Sequence, residues 1–507
     1  MKTKNLHFIF FAVLLLLFNN TIIAQEYTEW SGAVDGDWNN PDNWDGGIVP
    51  DATLTAIIPD GNVPNFPDLT DDTGECEEIV LSADANGPSS ILGNENLAVD
   101  YAQVDVYLTT GQWHMISPPV YGETASLFHF PGIVTYLTYF DEPSNSYVYI
   151  TDVSTPLYET EGYMIMIEDP NALAYLPSYI GDLNYGYFET DLLTRTAPGP
   201  DNGWNMVGNP YPSTIDWDAE YGWYKLDIDE TIYIINDGLW ASWSASGGST
   251  NGGSNYIASG QGFFVSVTDD GSTDGYLEME EEIRVNSSEL FLKKKRELTD
   301  YVKLAASGNG RTDEIIIRFL EGSSTSFEGQ YDAYKKLTTT EEIPQLYTET
   351  DVKYAVNVVP TAESLALSFL CGLDGEYSIS IAEINQIDDV WLEDLTTGEM
   401  TNLVTKDYSF SYTTSDDPAR FMLHFSLVAV PEEKPESIHV YSYQNQINIA
   451  SPVVMEGEFM VINLLGQTVA EGHLSGTEKR LTIYQKGTYL IRLISNNDVL
   501  TKKIVIN

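Results

Sequence analysis

Histidine and cysteine, the side chains that most often bind metals or act as nucleophiles, are few and scattered in this chain. Of the six histidines, one lies in the N-terminal leader, and no two of the others have the His-x-His or His-Glu-x-x-His spacing of a zinc site. Cys76 and Cys371 are far apart and predict buried thiols rather than a disulfide framework. No catalytic, metal or cofactor site is predicted from these residues. The histidines beyond the leader are His114, His129, His424, His439 and His473.

Acidic side chains dominate the charge of the chain. It has 76 Asp and Glu against 24 Lys and Arg, which gives a net charge of −52. This charge keeps an extracellular protein soluble and argues against nucleic acid as a partner. A glycosidase pair of carboxylates is compatible with the composition, but the abundance of acids prevents any pair from being singled out.

Calcium is the only cofactor that the acidic residues raise as a hypothesis. Asp35, Asp37 and Asn39 have the spacing that begins a calcium loop, and residues 269–274 form a second acidic loop. The first match then fails, because other residues stand where the turn glycine and the bidentate glutamate should be. Solvated acidic loops are therefore the favoured interpretation.

Aromatic side chains are concentrated between residues 204 and 243, which hold five of the ten tryptophans. Flat aromatic faces can stack on a sugar ring, but large aromatics also fill β cores, and packing is the favoured interpretation for the set. Trp240 and Trp243 are the candidates for a glycan platform. They lie at i, i+3 beside the glycine- and serine-rich loop 246–254, which we expect to be exposed and mobile.

The elements that must position these residues are β-strands. Helical periodicity is nearly absent, and Gly, Asn, Asp and Pro interrupt the sequence at strand-length intervals. With 507 residues the chain is long enough for three or four domains. We predict an all-β, multidomain protein made of β-sandwiches and ending in a small immunoglobulin-like domain.

Residues 101–285 contain two similar segments. The run W-H-M-I-S-P that starts at Trp113 is echoed by W-N-M-V-G-N-P at Trp204, 91 residues later. A strand with a glycine–aromatic start follows each run, at Gly162 and at Gly262, 100 residues apart. Two paired matches in the same order predict an internal repeat, folded as two similar β half-units that pack as one sandwich-like domain.

The segment 26–100 is short and rich in tryptophan. Its W-S-G…W-N-N-P-D-N-W pattern is similar to an opening segment of Bacteroidetes surface proteins. We expect Trp30, Trp38 and Trp44 to pack on the first strands rather than to bind a ligand.

A second β-sandwich domain is predicted for residues 286–430. About seven runs, most with period-two alternation, fit the strand count of an immunoglobulin-like sandwich. The basic run 293–296 is interpreted as a solvated strand edge that discourages edge-to-edge pairing. Residues 431–435, with the sequence P-E-E-K-P, are predicted to be a short stiff linker.

The last segment, 436–507, carries the most specific pattern. It reads as six or seven short strands, and the order V-I-N-L-L-G-Q-T-V, G-T-Y-L-I-R-L, T-K-K-I-V-I-N resembles the C-terminal sorting domain of type IX secretion cargo in the Bacteroidetes. The Pro-Asn-Pro turn that is usual after the first strand of that family is absent. The resemblance implies two partners, the type IX translocon and a sortase-like peptidase that removes the domain. The motif residues are Gly466, Gly487, Tyr489, Lys502 and Lys503.

Residues 1–25 are predicted to be a signal peptide. Lys2 and Lys4 precede an apolar run at 8–18, which is short for a membrane span, and Ala24 supplies a small residue at the cleavage point. No later stretch is long and apolar enough to predict a transmembrane span. The leader and the sorting domain together predict a protein that is secreted or displayed at the outer-membrane surface.

Two classes of function fit these features. The favoured one is a non-catalytic adhesin-like or glycan-binding surface protein. The alternative is a secreted β-rich hydrolase that acts on polysaccharide or protein. Flat sandwich faces favour the first, whereas a groove with two close carboxylates and exposed aromatics favours the second.

Overall fold

The computed structural model describes residues 27–61, 63–236, 238–286, 298–427, 439–443, 446–463, 467–483, 485–495 and 498–506. Strands account for 53% of the chain and helices for 4%, which confirms the all-β prediction. The chain divides into two compact units, residues 1–427 and 428–507. No helix within the described ranges is long and apolar enough to cross a membrane. The predicted signal peptide, basic run and linker lie outside those ranges.

The first unit opens with a sheet that is mostly parallel. The first seven strands of the unit are β1 Tyr27–Glu29, β2 Thr55–Ile58, β3 Gly74–Leu81, β4 Ala83–Asp84, β5 Gly87–Pro88, β6 Leu97–Asp105 and β7 Leu108–Thr109. Of these, β1, β2, β3 and β6 belong to this sheet, whereas β4 pairs with β5 and β7 pairs with a later strand. Strands β1, β2, β3 and β6 pair in parallel, and a later strand, Ser178–Gly181, adds to β6 in antiparallel direction. Ile79 and Leu81 of β3 alternate into the core because successive side chains of a strand point to opposite faces, and Cys76 is buried in the same core.

The three tryptophans of the opening segment lie in this core, as the packing interpretation predicts. The Trp44 ring meets Trp30 and Trp38 edge to face, with ring centroids 5.0 and 4.8 Å away. None of the three is more than 3% exposed. The core continues to Leu183, so the opening segment and the first half of the predicted repeat share it.

Helical structure is limited to single 3-10 turns in the described part of the chain. They are Pro41–Asn43, Asp45–Gly47, Asn94–Asn96, Ala125–Phe128, Glu142–Ser144 and Glu281–Ile283.

The first half of the predicted repeat forms an antiparallel sheet, here called sheet A. Its strands are β8 Trp113–Ile116, β9 Val134–Asp141, β10 Ser146–Tyr149 and β11 Tyr163–Glu168, in the order β10-β9-β11-β8. The short strands that follow are β12 Ala174–Tyr175, β13 Ser178–Gly181, β14 Phe188–Glu189 and β15 Leu193–Thr194.

The second half forms sheet B, which has the order β16-β23-β19-β20-β21. The strands of this half are β16 Trp204–Gly208, β17 Thr214–Asp216, β18 Trp223–Leu226, β19 Ile232–Asn236, β20 Leu239–Ser244, β21 Gly248–Thr250, β22 Tyr256–Ile257, β23 Gly262–Ser266, β24 Asp274–Met279 and β25 Arg284–Val285. The strand that begins with Trp lies at one edge of each sheet. From that edge the order is β8-β11-β9-β10 in sheet A and β16-β23-β19-β20 in sheet B, and sheet B then adds β21.

The two sheets also pair their equivalent residues in the same register. In sheet A, Trp113 lies opposite Met166 and Ile116 opposite Tyr163. In sheet B, the positions 91 and 100 residues further on pair in the same way, Trp204 with Ser266 and Val207 with Phe263. The similarity in the sequence thus corresponds to the same local structure.

The two halves meet through reciprocal backbone hydrogen bonds. Ser117 N donates to the Gly260 carbonyl at 3.0 Å, and at the equivalent positions Gly208 N donates to the Thr160 carbonyl at 2.9 Å. The approach is close, since a Cβ on Gly208 would lie 2.0 Å from Ser117 Oγ. The same backbone contact therefore occurs twice between the halves, with the donor and acceptor segments exchanged.

The remainder of the first unit, residues 298–427, forms an eleven-stranded sheet. Its strands are β26 Tyr301–Gly308, β27 Arg311–Phe319, β28 Ala333–Tyr334, β29 Gln345–Glu349, β30 Lys353–Val359, β31 Ser364–Leu370, β32 Gly375–Asn385, β33 Ile387–Asp394, β34 Glu399–Asn402, β35 Tyr408–Tyr412 and β36 Phe421–Leu427. In this sheet β28 pairs with β30 beside a path of ten strands. The structure has eleven strands here, more than the seven expected. Two-residue strands such as β28 are too short to show the alternation from which strands are predicted.

The second unit is a five-stranded antiparallel sheet in its described residues. Its strands are β37 His439–Tyr443, β38 Gln446–Asn463, β39 Thr468–Thr482, β40 Gly487–Ser495 and β41 Asp498–Ile506. The expectation of six or seven short strands is wrong, because β38 and β39 are 18 and 15 residues long. Gly476, whose run S-G-T is typical of a turn, lies inside β39, and the register of β38 with β39 shifts between Ala450 and Met455.

Candidate functional site

A cleft of about 1120 Å³ lies within the first unit. One face of sheet A and one face of sheet B form two of its walls, and residues 309–311 and 334–353 contribute the third. Aromatic rings are concentrated on the first two walls, and the charged side chains come mainly from the third.

Strand alternation explains the wall from sheet A. Trp113, Phe140, Tyr147 and Tyr149 share one face with Met164, and all of them line the cleft. The opposite face, which includes Ile116, Ile165 and Leu137, packs into the core of the opening segment. Tyr147 and Tyr149 keep 40% and 58% of their surface exposed.

The wall from sheet B uses the equivalent positions. Trp204, Ile235 and Trp240 occupy the places of Trp113, Phe140 and Tyr147, as the pairing of Ile235 with Trp240 and of Phe140 with Tyr147 shows. The environment differs, however. Trp204 is 1% exposed, with its ring centroid 4.9 Å from that of Tyr233 and 5.6 Å from that of Tyr334.

Lys336 lies over this second wall. Its Nζ is 3.4 Å from the centroid of the Trp204 ring, 5.3 Å from that of Trp240 and 5.5 Å from that of Phe264, distances at which an ammonium is attracted to ring faces. No carboxylate of the described residues lies within 4.0 Å of this nitrogen. Burial lowers the pKa of Lys336 to about 7, although the charge of Asp201 opposes the shift.

Two neighbouring cations of the cleft have carboxylate partners. Lys335 Nζ donates to both oxygens of the buried Asp313 at 2.6 Å, and Lys353 Nζ donates to Glu349 at 2.8 Å. Asp313 is held from the other side by the amide of Asn251. These pairs leave Lys336 as the ammonium that faces the aromatic wall without a counter-ion at contact distance.

Asp351 is a carboxylate that lines the cleft, and its hydrogen bonds favour the ionised form. Desolvation raises its pKa, but hydrogen bonds from Tyr354 at 2.6 Å and Thr350 at 2.8 Å outweigh that effect and lower the pKa below its ordinary value. A general acid needs the opposite shift.

The structure does not bring Trp240 and Trp243 together on one surface. Positions i and i+3 of β20 point to opposite faces, so Trp240 lines the cleft while Trp243 packs beside the core of sheet B. Trp243 Nε1 donates to Asp218 at 3.0 Å. The adjacent loop is not exposed as expected, because residues Gly248–Thr250 form β21, and Gly247, Gly248 and Thr250 are buried.

The two acidic loops make internal hydrogen bonds. Asp35 Oδ1 accepts from the Asn43 amide at 2.6 Å, and this bond lowers the pKa of Asp35. Asp269 Oδ2 accepts from Gly199 N at 2.7 Å and lies 3.5 Å from Arg195. The described residues contain no group of three His, Cys, Asp or Glu side chains that could hold a metal ion. Cys76 and Cys371 are free and buried.

The motif residues of the second unit lie on its last two described strands. Tyr489 is 4% exposed and donates to the Gln485 carbonyl at 2.8 Å, and Ile491 and Leu493 alternate with it into the core. Gly487 is the first residue of β40, and Lys502 and Lys503 lie on β41 opposite Ile491 and Leu490. Gly466 lies outside the described residues.

Sequence reasoning missed Lys336 and Tyr147 as members of the cleft. Tyr147 could have been found from the sequence. The similarity that matches Trp113 with Trp204 also matches the strand of Tyr147 with the strand of Trp240, which was a candidate. Lys336 could not have been found in this way, because the sequence Y-K-K-L at 334–337 does not indicate which earlier strand this segment packs on.

Two family models match parts of the chain. Residues 443–507 match the secretion system C-terminal sorting domain, which confirms the resemblance noted for the last segment. Residues 230–425 match a family described as Domain of unknown function (DUF8693). The chain is a type IX secretion cargo protein of the Bacteroidetes, exported to the cell surface or secreted.

Similarity to individual proteins is limited. The minor fimbrium subunit Mfa5 of Porphyromonas gingivalis is 27% identical over 291 residues, which cover 49% of this chain and 22% of that protein. This chain therefore spans about a fifth of the curated relative's length. A solved structure described as Biofilm associated protein - BSP domain has a TM-score of 0.13 at 8% identity, over 80% of this chain and 92% of that one, and a score this low supports no argument.

Proposed function

We propose that the protein is an adhesin-like surface protein that binds a glycan in the cleft of its first unit. The observation that carries this proposal is the aromatic wall, where Trp113, Tyr147 and Trp240 face a cavity of about 1120 Å³. Ring faces stack on the C–H face of a pyranose, and a cleft of this size has room for several sugar rings.

Two further observations support the proposal. The export route brings the cleft outside the cell, where glycans are available. The partial relative is a fimbrium subunit, a class of surface appendage protein. In this proposal Trp240 keeps the platform role expected from the sequence, and Trp243 supports the same strand from its other face.

The second unit supplies the export address. It engages the type IX machinery, and a sortase-like peptidase then removes it, as the sorting-domain match implies. Glycan binding is thereby assigned to residues that remain after this removal.

A glycan array probed with the mature full-length protein tests the proposal, with release of reducing ends measured in parallel on every glycan that binds. Binding without release is the expected result. The absence of binding to any glycan would overturn the proposal. Release of reducing ends would replace it with the hydrolase alternative.

A further inference from the structure

We propose that Lys336 is a recognition group for a carboxylate, so that the ligand of the cleft is an acidic glycan such as a uronic-acid oligosaccharide. This inference rests on the proposed function and assigns the substrate class of that same site. Its starting point is geometric. The Lys336 ammonium lies 3.4 Å from the centroid of the Trp204 ring, lines the cleft, and has no carboxylate of the described residues within 4.0 Å.

An ammonium without a counter-ion stands out among the lysines that the structure describes in the first unit. The others have a carboxylate within 4.0 Å, and they are Lys225, Lys303, Lys335, Lys353 and Lys406. Acidic residues outnumber basic ones 76 to 24, so a lysine has more than three carboxylates for each cation from which to find a partner. Lys335, the preceding residue, binds Asp313 through both carboxylate oxygens. Lys336 instead points its charge at ring faces, which attract a cation but leave its N–H donors unused.

A bound carboxylate would use those donors. Ion pairs that are hydrogen-bonded and shielded from water are stronger than exposed ones, and the aromatic wall excludes water on one side of Lys336. The sugar ring that carries the carboxylate would at the same time lie against Trp113 and Tyr147, which line the same cleft as Lys336. One acidic sugar can therefore use both the rings and the charge.

The remaining charged groups of the cleft set the background. Asp201 is the carboxylate whose charge acts on Lys336. Glu349 and Asp351 are engaged by Lys353 and Tyr354, and Glu342 also lines the third wall. Arg311 adds a guanidinium group to the same wall. The pH range of interest is 6 to 8.5, around the pKa of Lys336. The tyrosines Tyr147 and Tyr334 have raised pKa values because they are desolvated, so they stay neutral there.

These groups give the inference a pH signature. Lys336 has a pKa of about 7 in the free protein, and a bound carboxylate raises that pKa because it stabilises the ammonium. The affinity for an acidic glycan is then highest below pH 7. It falls by about tenfold for each pH unit above 7, until the pKa of the complex is reached.

The experiment compares a uronic-acid oligosaccharide with its methyl ester, which keeps the sugar rings and removes the charge. Both are titrated calorimetrically into the mature full-length protein at pH 6 and pH 8.5. We expect the acid to bind about tenfold more tightly than the ester at pH 6, and the preference to shrink at pH 8.5. Lys336→Met should abolish the preference and leave the ester's affinity nearly unchanged, whereas Lys353→Met, in the same cleft, should retain the preference.

The possible outcomes separate the two proposals. Equal binding of acid and ester to the wild-type protein would overturn the role of Lys336 and leave glycan binding intact. A preference that survives Lys336→Met would also overturn it. Failure of both ligands at both pH values would overturn the acidic-glycan inference, and the array decides independently whether any glycan binds. The ligand pair tests the inference without any substitution, so a variant that does not fold does not affect it.

Discussion

Sheet A and sheet B have the same strand order and the same register, yet one presents its tryptophan to the cleft and the other buries it. Trp113 is part-buried at the cleft wall, whereas Trp204 is 1% exposed beneath Lys336. The difference does not come from the sheets themselves. On sheet B, Tyr334 and Lys336 cover Trp204. On sheet A, Met115 and Met164 of the equivalent face are buried as well, and the part around Trp113 and Tyr147 lines the cleft.

The comparison shows how one packing pattern can serve two purposes. When another segment of the chain packs on an apolar sheet face, that face becomes part of the core. When no segment packs on it, the same face can bind a ligand. The covering residues lie about 130 positions after Trp204 in the chain, so only the folded structure decides which copy keeps its face open.

The largest expected effect is on the covered tryptophan. Trp204→Ala removes a fully buried ring that contacts Tyr233 and Tyr334, and should cost about 3–5 kcal/mol in the free energy of unfolding of the first unit. Trp113→Ala is the matched variant and should cost much less, because its ring is only part-buried. Thermal denaturation of both variants measures the difference, and equal losses would contradict the account of the two faces.

A smaller effect is expected where the two halves meet. Gly208→Ala places a Cβ 2.0 Å from Ser117 Oγ and 2.6 Å from the Glu161 carbonyl, and should destabilise by about 1–3 kcal/mol because backbone has to shift. Gly375→Ala is the control, since the nearest atom there is 3.5 Å from the new Cβ. If both variants melt at the same temperature, the close contact between the halves does not exist as described.

The smallest expected effect is the stability change of Lys336→Met, and it depends on pH. The folded pKa of about 7 is below the ordinary value of 10.5, so below pH 7 the lysine is charged in both states and the folded state carries the desolvation cost. Between the two pKa values the unfolded state binds more protons, so wild-type stability rises with pH. The variant should therefore melt higher than the wild type at pH 6, by about 2 °C, and lose that advantage toward pH 10. A variant that melts lower at pH 6 would show that the ammonium stabilises the cleft.

The sequence predicted the β class and the packing of the opening tryptophans, because both depend on local patterns. It misjudged the neighbourhood of Trp240. The run S-G-G-S-T-N-G-G-S looks like an exposed loop, but its glycines allow close approach to other chain segments, and Gly247 lies against Tyr331 and Val356. Contacts between residues so far apart in the chain produce no periodic pattern in the sequence from which they could be predicted.

The long strands of the second unit were missed for a related reason. The run S-G-T at Gly476 is typical of a turn, but Gly476 lies inside β39 opposite Met455 of β38. Cross-strand pairing outweighs the low strand propensity of a single glycine.

The central claim is that the part of sheet A around Trp113, at the cleft wall, is the binding surface. The affinity of Trp113→Ala protein for a glycan identified on the array tests it most directly. Calorimetric titration of the mature wild-type and variant proteins should show a loss of about tenfold or more, while the melting temperature changes little. An affinity equal to that of the wild type, in a variant that remains folded, would contradict the claim and separate the cleft from glycan binding.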